Sequence, residues 1–212
     1  MPLPTEITLW IDPVKVTRYV GTRYPRPIAP KRHLPPGAFV VQLLAYLRYS
    51  RLFNANWDRR TELIDELPKY LKVKDLVAHL DDFRNSRWYS EWVEALRRQG
   101  EVRHKKIRMT SIDDLDHFFE NYACDMIRSL RDHGYLPERG SRLGGAAIAR
   151  SGELLKTNAG DHRFFAARYL NVKPVPLQIR YIHPRWLKQH DLSLAADDAD
   201  RLTTALRQVE QA

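Results

Sequence analysis

The chain has 212 residues, 43% of them hydrophobic and 29% charged, with a formal net charge of +9. That balance excludes a disordered chain, and no apolar run approaches the ~20 residues that span a bilayer. The positive excess is uneven: residues 1–110 hold 21 Lys and Arg against 12 Asp and Glu, whereas residues 111–212 hold 14 of each.

Such a field attracts phosphate-rich partners, among them nucleic acid, an anionic membrane surface or a charged substrate. A solvated basic surface with no partner is the plain alternative. One cysteine, Cys124, excludes an internal disulfide and fits a reducing compartment. MPLPTEITLWIDP lacks a basic segment followed by an apolar one, so a cytoplasmic location is expected.

The first elements are extended. ITLWI (7–11) reads as a short strand, and the prolines of RYVGTRYPRPIAPKRHLPPG block helix and central strand. Residues 1–37 therefore read as a proline-rich basic arm. Residues 38–100 read as a helical region. AFVVQLLAYLRYSRLF suits a buried helix, and DRRTELIDEL suits a short one started by Asp58 and stopped before Pro68. VKDLVAHLDDF (73–83) sets Leu76, Val77, Leu80 and Phe83 on one face. Ser86 caps RWYSEWVEALRRQ, which stacks Trp88, Trp92 and Leu96 and exits at Gly100. That spacing is the spacing of a core stripe, although the tryptophans could also meet a base or a sugar.

The texture changes at residue 101. VRHKKIRMT (102–110) reads as a short strand with basic flanks. Ser111 and Asp114 form a capping-box pattern. The helix after them carries Ile112, Leu115, Phe119, Tyr122, Met126 and Leu130 on one stripe and closes at Gly134. Cys124 lies in it as a buried, inert thiol. The loop ERGSRLGG leads to AAIA, ELLKT, a helix from GDHR to Leu170, the strand VPLQIRYIH (175–183) and a last amphipathic helix within 191–212. The fold class is α+β: an α/β-type unit over 101–190 with a small mixed sheet, preceded by a mainly helical N-terminal region.

The chemistry concentrates at Gly160-Asp161-His162-Arg163. A strand ends at Thr157, Asn158 and Ala159 turn, and Gly160 can take φ > 0 or let a ligand approach the backbone. The helix start that follows presents free N–H groups and positive partial charge, which suit a phosphate. Arg163 adds a forked donor, and His162 can donate a hydrogen bond or exchange a proton. Asp161 can cap the helix or help hold a divalent cation. Lys156 and Asn158 flank the same turn. The alternative is a plain helix start, with Asp161 capping, His162 exposed and Arg163 paired to an acid.

SLRDHGYLP, GELLKT, GDHRFFAARYL and VPLQIR, taken in that order, resemble the ParB/sulfiredoxin superfamily over about residues 104–185. The matching residues are the Gly160–Arg163 motif, Ala166-Ala167 and Val175-Pro176. The resemblance implies a nucleotide or phosphate cradle at the motif. ParB proteins in that superfamily bind and hydrolyse CTP, sulfiredoxins use ATP, and free-serine kinases transfer phosphate. The chain departs from the pattern in two places. Asp161 stands where sulfiredoxins carry cysteine, and His162 stands where ParB proteins carry arginine. Too little chain follows residue 185 for the DNA-reading module of ParB proteins. Over its full length the chain also looks similar to bacterial proteins with an HRF motif, here His162-Arg163-Phe164.

These readings imply a nucleotide-dependent phosphotransferase, ATP and Mg²⁺ being the expected cofactors. Lys156, Asn158, Gly160, Asp161, His162 and Arg163 would hold the nucleotide, and Asp161 would also touch the metal. His162 and Asp113 would act in the chemistry, Asp113 standing roughly where the kinase relatives place an acid. His183, in IHPRW, reads as structural or as a border of the pocket. Two rival readings remain: a nucleotide-gated nucleic-acid-binding protein that uses residues 1–110, and a non-enzymatic assembly protein whose basic arm docks on a partner or an anionic surface.

Overall fold

The structure is a computed structural model that describes residues 6–23, 54–140 and 142–211. The proline-rich stretch after Arg23 and the helix expected from residue 38 lie outside the described residues.

Two strands open the chain, β1 (Thr8–Ile11) and β2 (Arg18–Gly21). The region after them enters through a 3-10 turn, Asn54–Arg59, a two-residue strand β3 (Glu62–Leu63) and a 3-10 turn, Ile64–Glu66. Helix α1 (Pro68–Ala78) then begins at the proline expected to stop a helix. The reason is positional. At the first helical residue a proline's missing N–H is not needed, and its fixed φ suits the helix. Helix α2 (Arg87–Gln99) has the expected ends: Ser86 accepts from the Tyr89 N–H, and Gly100 closes it at φ 74°.

The segment read as one strand, VRHKKIRMT, is a hairpin of β4 (Val102–His104) and β5 (Ile107–Met109). Helix α3 (Ile112–Phe118) starts at the full capping box of Ser111 and Asp114. A π-turn over Phe119–Cys124 joins it to α4 (Asp125–His133). The wider turn shifts the apolar stripe from the expected one. Phe118, Phe119, Cys124, Ile127 and Leu130 are buried, while Ile112 and Tyr122 of the expected stripe are exposed. Burial pushes the Cys124 thiol up to about 11, which keeps it protonated and inert.

Strands β6 (Gly144–Ile148) and β7 (Leu154–Thr157), helix α5 (Asp161–Tyr169) and strand β8 (Val175–Ile182) follow. Helices α6 (Pro184–Gln189) and α7 (Ala199–Gln211) end the chain. One six-stranded mixed sheet runs in the order β1-β8-β6-β7-β2-β3. β6 lies parallel to β8, and β2 parallel to β7; the remaining pairs are antiparallel.

Among its described residues, the N-terminal region is therefore not mainly helical. Residues 8–11, 18–21 and 62–63 supply three of the six strands and both edges. The β-branched and aromatic residues in TLWI and RYVG suit a pleated surface, and each strand finds a partner more than 130 residues away.

The sheet separates two apolar layers. Along β6, Ala146 and Ile148 face the larger core, while Ala147 and Ala149 face a smaller one with Val20, Trp57 and Leu155. Phe164, Phe165, Ala166 and Ala167 of α5 are buried against the larger face, where Tyr70 of α1 meets Phe165 edge to face.

Arg168, at the end of α5, ties this layer to the N-terminal strands. Its Nη1 donates to the carbonyls of Pro13 (2.8 Å), Val14 (2.7 Å) and Val16 (3.2 Å), and its Nη2 pairs with Asp65 at 3.0 Å. The guanidinium is 7% exposed and the carboxylate 63%. Arg168→Met should cost about 3 kcal/mol in urea denaturation, because buried carbonyls lose their donor. Asp65→Asn should cost less than about 1 kcal/mol, because its exposed charge is screened and the carbonyls keep theirs.

Candidate functional site

The Gly160–Arg163 motif forms the turn from β7 into α5. Three glycines let it pack closely. Gly160 sits at φ 66°, and a Cβ there would lie 2.8 Å from the Gly144 Cα. A Cβ on Gly145 would lie 2.3 Å from the Thr157 hydroxyl. The backbone of β6 therefore runs directly against the turn, and the Gly145 N–H donates to the Ala159 carbonyl at 3.1 Å.

Lys156 is fully buried beneath the turn and holds its shape. Its Nζ donates to the Thr157 carbonyl (2.5 Å), the Ala159 carbonyl (2.5 Å) and Asp161 Oδ1 (3.0 Å). An ammonium has three N–H bonds, and all three are used inside the protein. Burial pulls the Lys156 pKa down to about 8, opposed by the Asp161 carboxylate. The lysine expected to reach a phosphate is thus an internal brace.

Asp161 is similarly engaged. Oδ2 accepts from the Tyr19 hydroxyl at 2.9 Å and faces Lys69 Nζ at 3.5 Å. Burial, then the Asp161 charge, push the Tyr19 phenol well above its ordinary range. Asp161 makes no capping bond to the helix start; Gly160 occupies the cap position. Nor does the carboxylate fit a divalent cation. Two ammonium groups already balance its charge, and a metal ion would have to sit beside both. Among the described residues no three His, Cys, Asp or Glu gather as a metal-binding group.

His162 turns away from the turn into an aromatic cluster. Its ring lies 4.7 Å from Trp88 and 5.4 Å from His104, the latter stacked. Burial first, then His104, pull its pKa down to about 4. Burial and Lys105 lower His104 as well. Both imidazoles are neutral at pH 7, and His162 is a weak base there.

Arg163 keeps a polar atom in reserve. Its Nη2 donates to the Leu136 carbonyl at 2.6 Å, and its guanidinium lies 4.2 Å from the centre of the Tyr135 ring. Its Nη1 is buried and has no acceptor among the described residues. A Cβ on Gly140 would lie 2.2 Å from that nitrogen, so the glycine makes room for it. The Thr157 hydroxyl is a second buried group in the same condition. Asn158 is exposed on the turn.

Lys156, Asn158, Gly160, Asp161, His162 and Arg163 thus share one turn. Asp113 does not join them. It lies exposed in the first turn of α3, and among the described residues no hydrogen bond or ion pair links it to the turn. His183 caps α6, its Nδ1 accepting the Arg185 N–H at 3.0 Å, with Nε2 3.9 Å from Asp58. Tyr19, Lys69, Gly140 and Gly144 belong to the site without any signal in the local sequence, because each reaches it through the fold. A shallow hollow between α6 and α7, lined by His190, Leu192 and Arg201 among others, shares no residue with the turn.

No protein-family model, curated protein or solved structure matches this chain.

Two measurements test this geometry. Gly160→Ala should destabilise the fold by about 2 kcal/mol or more, since the added methyl meets backbone and the φ is unfavourable. The second is the pH dependence of unfolding. The folded His162 binds its proton only near pH 4, while the unfolded residue binds at about 6.5. Stability present above pH 6.5 should therefore fall toward pH 4, by at most about 1.4 kcal/mol per pH unit for this group. His162→Leu should flatten that part of the profile in urea titrations.

Proposed function

We propose that this chain is a ParB/sulfiredoxin-like domain that binds a nucleotide through its phosphates at the start of α5. The observation that carries the reading is an arginine donor without an acceptor at an uncapped helix start. Arg163 Nη1 is buried and unpaired among the described residues, and the first turn of α5 has no side-chain cap. A phosphate supplies several acceptors, and the helix N–H groups with the guanidinium supply matching donors. The local charge favours an anion, since Lys69 and Lys156 both pair with the single carboxylate Asp161 and Arg163 adds a further cation on the first turn of α5.

Phosphoryl transfer asks for more than binding. It needs an acceptor held in line and a group that orients it. Asp161 is engaged by two cations and a phenol, and His162 is a neutral ring packed among aromatics. The phosphotransferase reading therefore rests on the resemblance in sequence, and phosphate binding rests on the turn itself.

Calorimetry with ATP, CTP, GTP and inorganic phosphate, each with and without Mg²⁺, tests the reading. Wild type should bind at least one nucleotide saturably. Arg163→Lys keeps the charge and loses the fork, and should weaken binding ten- to a hundredfold, the loss of about 1.5–3 kcal/mol for a charged hydrogen bond. A melting curve of the variant separates this from unfolding. Absence of saturable binding to every nucleotide would leave the motif as a tight helix start.

A further inference from the structure

We propose that the β4–β5 hairpin and the end of α2 form a docking surface for the sugar–phosphate backbone of a nucleic acid. Residues 97–110, RRQGEVRHKKIRMT, carry six Lys and Arg against one acid, Glu101. The hairpin displays this charge at a cost to its own stability, in two ways.

The first is the strand pairing. Arg103 lies directly opposite Arg108, and residues directly opposite in an antiparallel pair share a face. Like charges so placed repel. Glu101 bridges them, its carboxylate lying 2.7 Å from Arg103 Nε and 2.5 Å from Arg108 Nε. One carboxylate between two guanidinium groups leaves a net positive charge on an exposed face. The other face carries Val102, His104, Ile107 and Met109, of which Met109 is buried, Val102 and His104 are half-buried and Ile107 is exposed.

The second is the turn. Lys105 adopts φ 56°, a left-handed conformation that glycine or asparagine takes more readily. A lysine is kept there, its ammonium 3.1 Å from the Tyr122 hydroxyl. Lys106, Arg97 and Arg98 beside it are exposed and have no ion pair among the described residues. Strain retained at a position where another residue would relieve it points to use of the side chain.

A phosphate backbone fits this surface better than a bilayer does. The patch offers only two exposed aliphatic residues, Ile107 and Ile112, for insertion. Tyr122, 36% exposed beside Lys105, offers a ring on which an unpaired base could stack. The contacts available are charge on phosphate, so the grip would be independent of sequence.

Fluorescence anisotropy with a labelled duplex of about 20 base pairs, and with single-stranded DNA and RNA of the same length, tests the proposal. At about 50 mM salt the protein should bind, and log K should fall linearly with log salt. The triple variant Arg97→Gln, Arg98→Gln, Lys106→Gln removes exposed cations without an ion pair, so its melting curve should match wild type. It should bind at least tenfold more weakly, with a slope flatter by ~0.9 per lost phosphate contact on duplex. Lys105→Gly should raise the melting temperature and still weaken binding. Arg163→Lys should leave nucleic-acid binding intact, which separates this surface from the phosphate turn. The proposal fails if no nucleic acid binds at low salt, or if the triple variant binds like wild type. It fails equally if the protein binds phosphatidylserine vesicles and no nucleic acid.

Discussion

The geometry of the β7–α5 turn depends on one buried ammonium. Lys156 Nζ gathers two carbonyls and a carboxylate from within five residues, and so forces the chain to double back before α5 begins. A charge taken out of water is tolerable only when every proton it carries is matched. Here the matching groups are the turn itself, so the brace and the turn form together. Asp161 then extends the network to Tyr19 on β2 and Lys69 on α1, which fixes the turn against both the sheet and the neighbouring helix.

The consequence for function is a division of labour between adjacent residues. Lys156 and Asp161 shape the turn from inside. His162 anchors it in the aromatic layer of Trp88 and His104. Arg163 alone of the motif's charged side chains retains a buried donor without an acceptor among the described residues. His104 belongs to the basic hairpin, so the stacked imidazole pair joins the hairpin to the start of α5. The turn into α5 and the proposed nucleic-acid surface are in direct contact through that pair.

Much of the C-terminal half is legible in the sequence because its signals are local. The Ser111 capping box, the Gly134 stop, and the short apolar runs of β6, β7 and β8 need no distant partner to be read. The N-terminal half misleads for the opposite reason. RYVG sits beside a run of prolines, and its pairings with the distant β7 and β3 make it a strand. DRRTELIDEL has a helical pattern, yet Pro68 acts as a helix start rather than a stop. The π-turn at Phe119–Cys124 displaces a stripe that strict periodicity places elsewhere. At the site, the motif identifies where chemistry concentrates but not which side chains face outward. Lys156 and Asp161 have the composition of ligand-binding residues, and their burial gives them structural work.

The order of the sheet also bears on how the chain can be divided. Strands β6, β7 and β8 come from the C-terminal half, while β1 flanks β8 and β2 flanks β7. A fragment beginning at residue 101 would expose the edges of β7 and β8 together, two unpaired rows of backbone donors and acceptors open to any passing strand. It would also lose the Tyr19 hydroxyl from Asp161 and three backbone carbonyls from Arg168. The sequence looks like two segments joined in series, but the strands at residues 8–11 and 18–21 cover the two sheet edges that the last hundred residues would otherwise leave open.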